Sequence, residues 1–498
     1  MWLMLNDALN IKRITSLTKL TIFLVTFSFI ILYFIVGCSL FGRIGVMEGS
    51  FSNALLPLSV LNPASGISLV ASKNTAMPLT GKSTSVLGYD GSILGPVLEA
   101  NSGDTVSIGF TNNLSGETNI HWHGLSVPNS MDGLPMNTVA ANTSYTYTYQ
   151  IHQRASLYWY HPHPHGKTGK QVAHGLAGIF IVRDAQENAL NLPSGEAEIP
   201  LVLQDKRFAA DNSIEYAPSM METMSGYLGE HILVNGRYSR FINIRSGWYR
   251  LRILNGSTAR VYNLKFTTGL SFYVIGSDGG LLSAPAKISS LLLAPGERAD
   301  ILVNFSGVKT GSDVYLFSDT FSEGGDYQGY DSFKVLRFHV DRSYTDTFVM
   351  PAQLSIIPAP NVSAAAQSRN FDISQKSMTG MMGSSGTGHT INGKSYDMSR
   401  IDFAVQSGTT EIWTFDNTGS TEIHPIHIHA VQFQLLSRTG GRARILPPET
   451  AYKDTVLVAG GEKVKIIMSF PLNTGTFVLH CHNLEHEDSG MMMNFSIN

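Results

Sequence analysis

The last twenty residues concentrate side chains that bind soft metals: His480, Cys481, His482, then His486 and Met491. On an extended strand successive side chains leave from opposite faces, so His480 and His482 share one face and Cys481 takes the other. One short strand can therefore serve two metal sites. Cys481, a histidine five residues on and a methionine five beyond that offer a thiolate, an imidazole and a thioether. That set favours copper over zinc or iron. A blue-copper centre also needs a second imidazole, and His424 is available.

His424 opens a second group, His424-Pro425-Ile426-His427-Ile428-His429, in which His427 and His429 again lie two apart. Two more groups stand upstream, His121-Trp122-His123 and His161-Pro162-His163-Pro164-His165. With 16 histidines among 498 residues, four such groups beside a Cys and a Met are not a chance pattern.

These four groups resemble the copper motifs of three-domain multicopper oxidases. The segments HWHGLSVPNSMDGLP, WYHPHPHGKTGKQVAHGLAG and HCHNLEHEDSGMM look most like bacterial copper efflux oxidases, and the similarity runs from about residue 75 to the C-terminus. The resemblance implies four coppers per chain. His424, Cys481, His486 and Met491 would hold the type 1 copper, and His121 and His427 the type 2 copper. His123, His161, His163, His429, His480 and His482 would hold the type 3 pair. One-electron oxidations of a small reducing substrate at the first site would feed reduction of O2 to water at the other three. Met491, as a weak axial ligand, would hold the type 1 potential below that of relatives with Leu or Phe there.

Asp132 and Glu487 match the acidic residues that orient the type 2 water and deliver protons at the type 3 pair in this family. The residues alone also allow Asp132 to be the Asp of an Asp-Gly turn and Glu487 a solvated loop carboxylate. Met492 and Met493 alternate beyond Met491 and read as core. Six histidines lie outside the motif positions: His152, His165, His174, His231, His339 and His389. His165 reads as a supporting or surface residue, and His152, His174, His231 and His339 as structural.

Two segments bear on the donor. Met220, Met221 and Met224 lie in PSMMETMSGYLG and read as core filler. Met378, Met381 and Met382 lie in a short Gly/Ser-rich insert, residues 376–390, where the family carries a Met-rich cover. Glu422 and its neighbours do not reproduce the Asp and Met that flank the first histidine of that cluster in similar oxidases. The leading expectation is Cu(I) oxidation in copper tolerance. The alternative is laccase-like oxidation of phenols, bilirubin-like pigments, Fe(II) or Mn(II). A non-catalytic copper-sequestering lipoprotein is the reading of a different class; a division-associated relative without coppers is excluded by the ligands, Cys481 above all.

The elements that must position these groups are strands. The chain is 43% hydrophobic with 47 glycines, and its short alternating runs broken by Gly, Asn, Asp and Pro are the signature of β-sandwiches. Ser102-Gly103 before Val106-x-Ile108-x-Phe110 recurs as Ser246-Gly247 and Ser407-Gly408, at spacings of 144 and 161 residues. Ala294-Pro295-Gly296-Glu297 is echoed by Ala459-Gly460-Gly461-Glu462. The expectation is an all-β chain of three tandem cupredoxin-like Greek-key sandwiches over 75–187, 188–345 and 346–498. The middle one, without a histidine group, reads as a spacer.

A net charge of −3 leaves no footprint for nucleic acid, and two cysteines exclude a disulfide framework. Lys12, Arg13 and Lys19 precede the apolar run Leu20 to Val36, which ends in Ile35-Val36-Gly37-Cys38. Residues 1–38 read as an export signal with a lipoprotein-like processing site at Cys38, or as an uncleaved anchor, and 39–74 as a tether. Either places the catalytic part outside the cytoplasm, in a bacterial periplasm and tethered to the membrane. Only Lys12-Arg13 stands where similar oxidases carry a twin-arginine signal. The chain is expected to act as a monomer.

Overall fold

Alternating apolar side chains leave each strand of a repeat with one face that only a second sheet can cover. A computed structural model of the protein describes residues 45–498 apart from 324, 326, 376–387 and 472. The export segment with Cys38, and Met378, Met381 and Met382 of the insert, lie outside the described residues. Among the described residues no helix is long and apolar enough to cross a membrane.

Six sheets make three β-sandwiches in tandem. In the first, Leu69, Val106, Ile108 and Tyr147 of one sheet pack against Leu98, Trp122, Tyr160 and Phe180 of the other. The second and third have their own cores, built around residues such as Leu251, Ile301 and Phe338, and Trp413, Ile466 and Phe495. The Ser-Gly landmark is a repeat of topology. Gly103, Gly247 and Gly408 all take positive φ, at 96°, 120° and 72°. Each leads into a strand, Thr105–Asn112, Trp248–Asn255 or Thr410–Asp416. Each of these strands has one parallel and one antiparallel partner: Ile67–Ala76 and Thr143–Gln150, Glu198–Phe208 and Arg298–Asn304, Ala365–Gln375 and Lys463–Ser469.

Residues 45–74 differ from a free tether. Asn53–Ala54 pairs with Arg240–Arg245 of the second sandwich, and Val60–Leu61 with Val97–Asn101 of the first. Ile67–Ala76 is a full strand of the first sandwich, with Leu69 and Ala71 buried. Polar composition suggested a linker, but two buried apolar side chains and an available strand edge give this backbone hydrogen-bond partners it would otherwise find in water.

Arg298, in the turn-and-strand landmark of the second repeat, holds the three sandwiches together and is fully buried. Its Nε donates to Leu157 O of the first at 3.0 Å. Its guanidinium meets the Asp454 carboxylate of the third, with Nη1 2.7 Å from Oδ1. Asp278 lies beside it, and Lys453 reaches Asp278 at 2.8 Å and Glu297 at 3.2 Å. A buried network of this kind is costly to break, because removing one partner leaves a charge without solvent. Replacing Arg298 with Met is expected to lower unfolding stability by about 3 to 5 kcal/mol. Urea denaturation of purified protein measures it; a loss below about 1 kcal/mol would mean the network is not what joins the repeats.

Candidate metal centre

Register delivers the histidines. His121 of the strand His121–His123 opposes His161. In the third repeat His424–Ile428 pairs with Gly475–Cys481, setting His427 opposite His480 and Ile426 opposite Cys481. Directly opposed residues of an antiparallel pair share a face, so the two facing strands sort their side chains together. Cys481 Sγ lies 3.7 Å from His424 Nδ1 and 3.5 Å from His486 Nδ1. On the other face His480 Nε2 lies 3.2 Å from both His163 Nε2 and His429 Nε2. His486 rides on the short helix Leu484–Asp488, whose first turn is capped by the Asn483 side chain. Met491 is fully buried in the same apolar cluster as Cys481. Its backbone N–H donates to His486 O at 2.9 Å and its carbonyl accepts from Cys481 N–H at 3.1 Å.

The remaining rings close a second group. His121 packs at 3.8 Å on His429, and His123 at 3.7 Å on His427. His482 stands 4.9 Å from His123 and 5.2 Å from His161, centroid to centroid. Sets such as His121, His427, His429 and His163, His429, His480 bring their donor atoms within 4.8 Å of one another, as do His424, Cys481, His486. All eight histidines of this second group are buried.

At His121 and His427 one ring nitrogen is held and the other is not. His121 Nδ1 pairs with Asp132 O and His427 Nδ1 with Asp454 O, both at 2.8 Å. His121 Nε2, His427 Nε2 and both nitrogens of His482 are buried without a partner. Buried polar atoms are normally satisfied. Aligned lone pairs beside a soft sulfur are what copper would satisfy, so the donor set fits that metal. Fixing one ring nitrogen so that the other points at a metal is the usual way proteins orient imidazole ligands.

Carboxylates stand against the rings. Asp132 is fully buried, with Oδ2 2.7 Å from His429 Nδ1 and 3.6 Å from His121 Nδ1. Burial pushes its carboxyl well above the usual range. Its position depends on Gly133, at φ +71°, where a Cβ would sit 1.9 Å from Ile120 O. Glu487 is also buried, with Oε2 3.1 Å from His480 Nδ1 and Oε1 3.5 Å from His163 Nδ1. Burial pushes its carboxyl up, but His163 and His480 outweigh that and hold it well below the usual range. Glu487 is thus buried on a helix and not a solvated loop carboxylate, while Asp132 does precede a glycine turn but faces the rings from it.

Other residues enter that motif reasoning did not supply. Asp454 Oδ1 lies 3.1 Å from His123 Nε2, with Thr455 Oγ1 at 3.0 Å from the same atom. Gly296, at φ +81°, lets the second repeat approach closely: a Cβ there would stand 3.1 Å from His482 and 3.2 Å from His123. The repeated landmark marked Gly296 as a turn but gave no sign of what it touches. His389 is buried, stacks on His486 at 3.8 Å and pairs with Glu422 through Nε2 at 2.5 Å. His165 is exposed near Tyr396, and His339 pairs with Asp313 away from the centre. Met492 and Met493 are buried in packed clusters.

Models of the multicopper oxidase family match residues 70–187, 219–332 and 363–498. A multicopper oxidase of Staphylococcus aureus is 34% identical over 90% of this chain and 92% of its own length. A bilirubin oxidase of Albifimbria verrucaria is 33% identical over 88% of this chain and 78% of its own. The crystal structure of a multicopper oxidase from the hyperthermophile Aquifex aeolicus superposes with a TM-score of 0.82 at 34% identity, covering 90% of this chain and 99% of that one.

Burial, reinforced by neighbouring rings, makes protonation unfavourable at nine histidines of the two groups. His161 is brought down to about 3 and His163 to about 4. His121, His123, His424, His427, His429, His482 and His486 are held well below the usual imidazole range for the same reason. In each case the unfolded chain binds the proton more readily than the folded one. Stability is therefore retained above the ordinary imidazole value and lost as pH falls below it, at about 1.4 kcal/mol per ring per pH unit. The metal-free protein is expected to lose thermal stability steeply between about pH 6.5 and 5. Bound copper is expected to raise stability at each pH without flattening the profile, because the folded rings carry no proton in this range for it to displace. Melting temperatures of both forms across this range check it, and a flat metal-free profile would contradict it.

Proposed function

Because the chain belongs to the multicopper oxidase family, and is thus a copper oxidoreductase with O2 as acceptor, we propose that its four His groups hold four coppers. His424, Cys481, His486 and Met491 would hold the type 1 copper. His121 and His427 would hold the type 2 copper, and His123, His161, His163, His429, His480 and His482 the type 3 pair. One observation carries the reading: Cys481 faces one imidazole pair while its chain neighbours His480 and His482 face the other group. When bound, copper supplies one-electron oxidation of a donor at the sulfur site and four-electron reduction of O2 to water at the cluster.

The chain's own residues do the rest. Cys481 links the two sites covalently, through the backbone it shares with His480 and His482. Glu487, with its oxygens facing His163 Nδ1 and His480 Nδ1, is the group placed to take up a proton at Oε and pass it inward. Asp132 fixes His429 and, through its carbonyl, His121. The buried walls exclude bulk water from the cluster.

The donor in this proposal is Cu(I), in copper tolerance. Its support is the helix Met220–Ser225, where Met220 and Met221 are exposed rather than core and the Met224 carbonyl meets His486 Nε2 at 2.9 Å, since soft ligands suit that ion. Laccase-like oxidation of phenols or pigments is the second reading, favoured by the likeness to a bilirubin oxidase. Residues 1–38 would export the protein and, through Cys38, tether it outside the cytoplasm.

Copper-loaded Cys481→Ser is expected to lose blue absorption and O2 consumption together, while keeping copper at the other site; surviving O2 uptake would refute the proposed electron route. Glu487→Gln should retain full copper loading yet consume O2 at least about a hundredfold more slowly, as befits loss of a proton-transfer group. Steady-state O2 electrodes and metal analysis read both. Comparing kcat/KM for Cu(I), Fe(II) and a dimethoxyphenol decides between the two donor readings.

A further inference from the structure

Buried arginines of this chain mostly answer carboxylates: Arg250 and Arg252 meet Glu187, Arg260 meets Asp205, and Arg438 meets Glu449 and Glu462. Arg154, in the first repeat, does not. Among the described residues no carboxylate pairs with it, its Nη1 is buried without an acceptor, and its guanidinium faces the Tyr452 ring of the third repeat at 5.7 Å. A guanidinium keeps its charge at every working pH, and a buried donor without a partner calls for an explanation.

The surroundings of Arg154 are built by all three repeats. Gly279 and Gly280 of the second back both side chains: a Cβ on Gly279 would stand 2.6 Å from Tyr452 Cβ, and one on Gly280, at φ +119°, 3.3 Å from Arg154 Cβ. Gly279 N–H also donates to Tyr452 O at 2.9 Å. Arg154 and Tyr452 share a cavity of about 470 Å³ with Pro358, Gln432, Gln434 and Met468. That volume suits a small molecule. Its wall is mixed, with a phenol ring, a proline and a thioether beside two side-chain amides. Gln432 reaches towards Gly124 O at 3.4 Å, one residue after His123, yet none of the twelve proposed copper ligands lines the cavity.

We infer that this junction is a binding site for a small aromatic carboxylate, separate from the copper centre and independent of which donor the oxidase uses. The ligand's carboxylate pairs with the Arg154 guanidinium, whose planar fork of donors matches it. Its ring lies against Tyr452 and Pro358. An aliphatic acid answers the charge and leaves that wall wet, whereas a neutral aromatic covers the wall and leaves the cation unanswered. Because the site draws on all three repeats, an occupant also stabilises their junction by mass action.

Calorimetric titration of the copper-loaded full chain with benzoate, benzamide and acetate tests the site. One benzoate per chain is expected, bound at least about tenfold more tightly than either of the others, as one charge-assisted contact or one buried ring would give. Arg154→Gln should weaken benzoate by about the same factor, and its melting temperature without ligand shows whether it folds. Tyr452→Leu, which keeps the charge, should weaken benzoate and leave acetate unchanged; it decides the matter if Arg154→Gln does not fold. Benzoate held elsewhere, at copper for example, would bind both variants as it binds the unmodified protein. That result, or equal affinity for benzoate and benzamide, or no saturation below about 10 mM, overturns the site.

Discussion

Two neighbouring side chains of a β-strand cannot face the same way, and the arrangement of this protein follows from applying that rule at His480, Cys481 and His482. A strand whose sulfur and imidazoles face different chambers must run along a boundary. It does: the sulfur faces into the third sandwich, among Phe477, Met491 and Phe495, while the imidazoles meet His163 and His161 of the first. Once that strand is placed, the first and third repeats have to meet along it. Their histidine pairs then face each other across the junction.

Holding so many neutral imidazoles together has an electrostatic consequence. Their lone pairs point inward and their outer nitrogens need partners, so the shell behind them is made of carbonyls and carboxylates: Asp132, Asp454 and Glu487. Buried carboxylates in turn need cations. Arg298 and Lys453 answer Asp454 and Asp278, and the centre's outer shell thereby becomes the joint between repeats. Metal geometry and interdomain cohesion are served by the same side chains.

The second repeat is more than a spacer. It supplies none of the proposed ligands, yet Gly296 reaches against His482 and His123 where no side chain would fit, Arg298 anchors Asp454, and the Met224 carbonyl orients His486. A repeat without a histidine group makes three contacts that only backbone and one guanidinium provide. Such contacts leave almost no trace in residue type.

Much was legible from the chain alone, because strand alternation and metal preference are local rules. His-x-His spacing, the Cys-His-Met order and the recurring Ser-Gly turns gave the all-β class, the threefold repeat and the side chains that converge. Residues 45–74 were misjudged as free linker, since composition reports polarity but not the nearby strand edges that recruit a backbone. Met220 and Met221 read as core for a similar reason: hydrophobicity is a property of the residue, whereas exposure belongs to the fold. Asp454, Arg298 and His389 carried no motif, because each acts through a partner tens or hundreds of residues away. The sequence by itself determined which atoms could bind copper and on which strand faces they stand. Only the tertiary structure decided what stands behind them, since hydrogen bonds and ion pairs between repeats depend on distance in space and not on spacing along the chain.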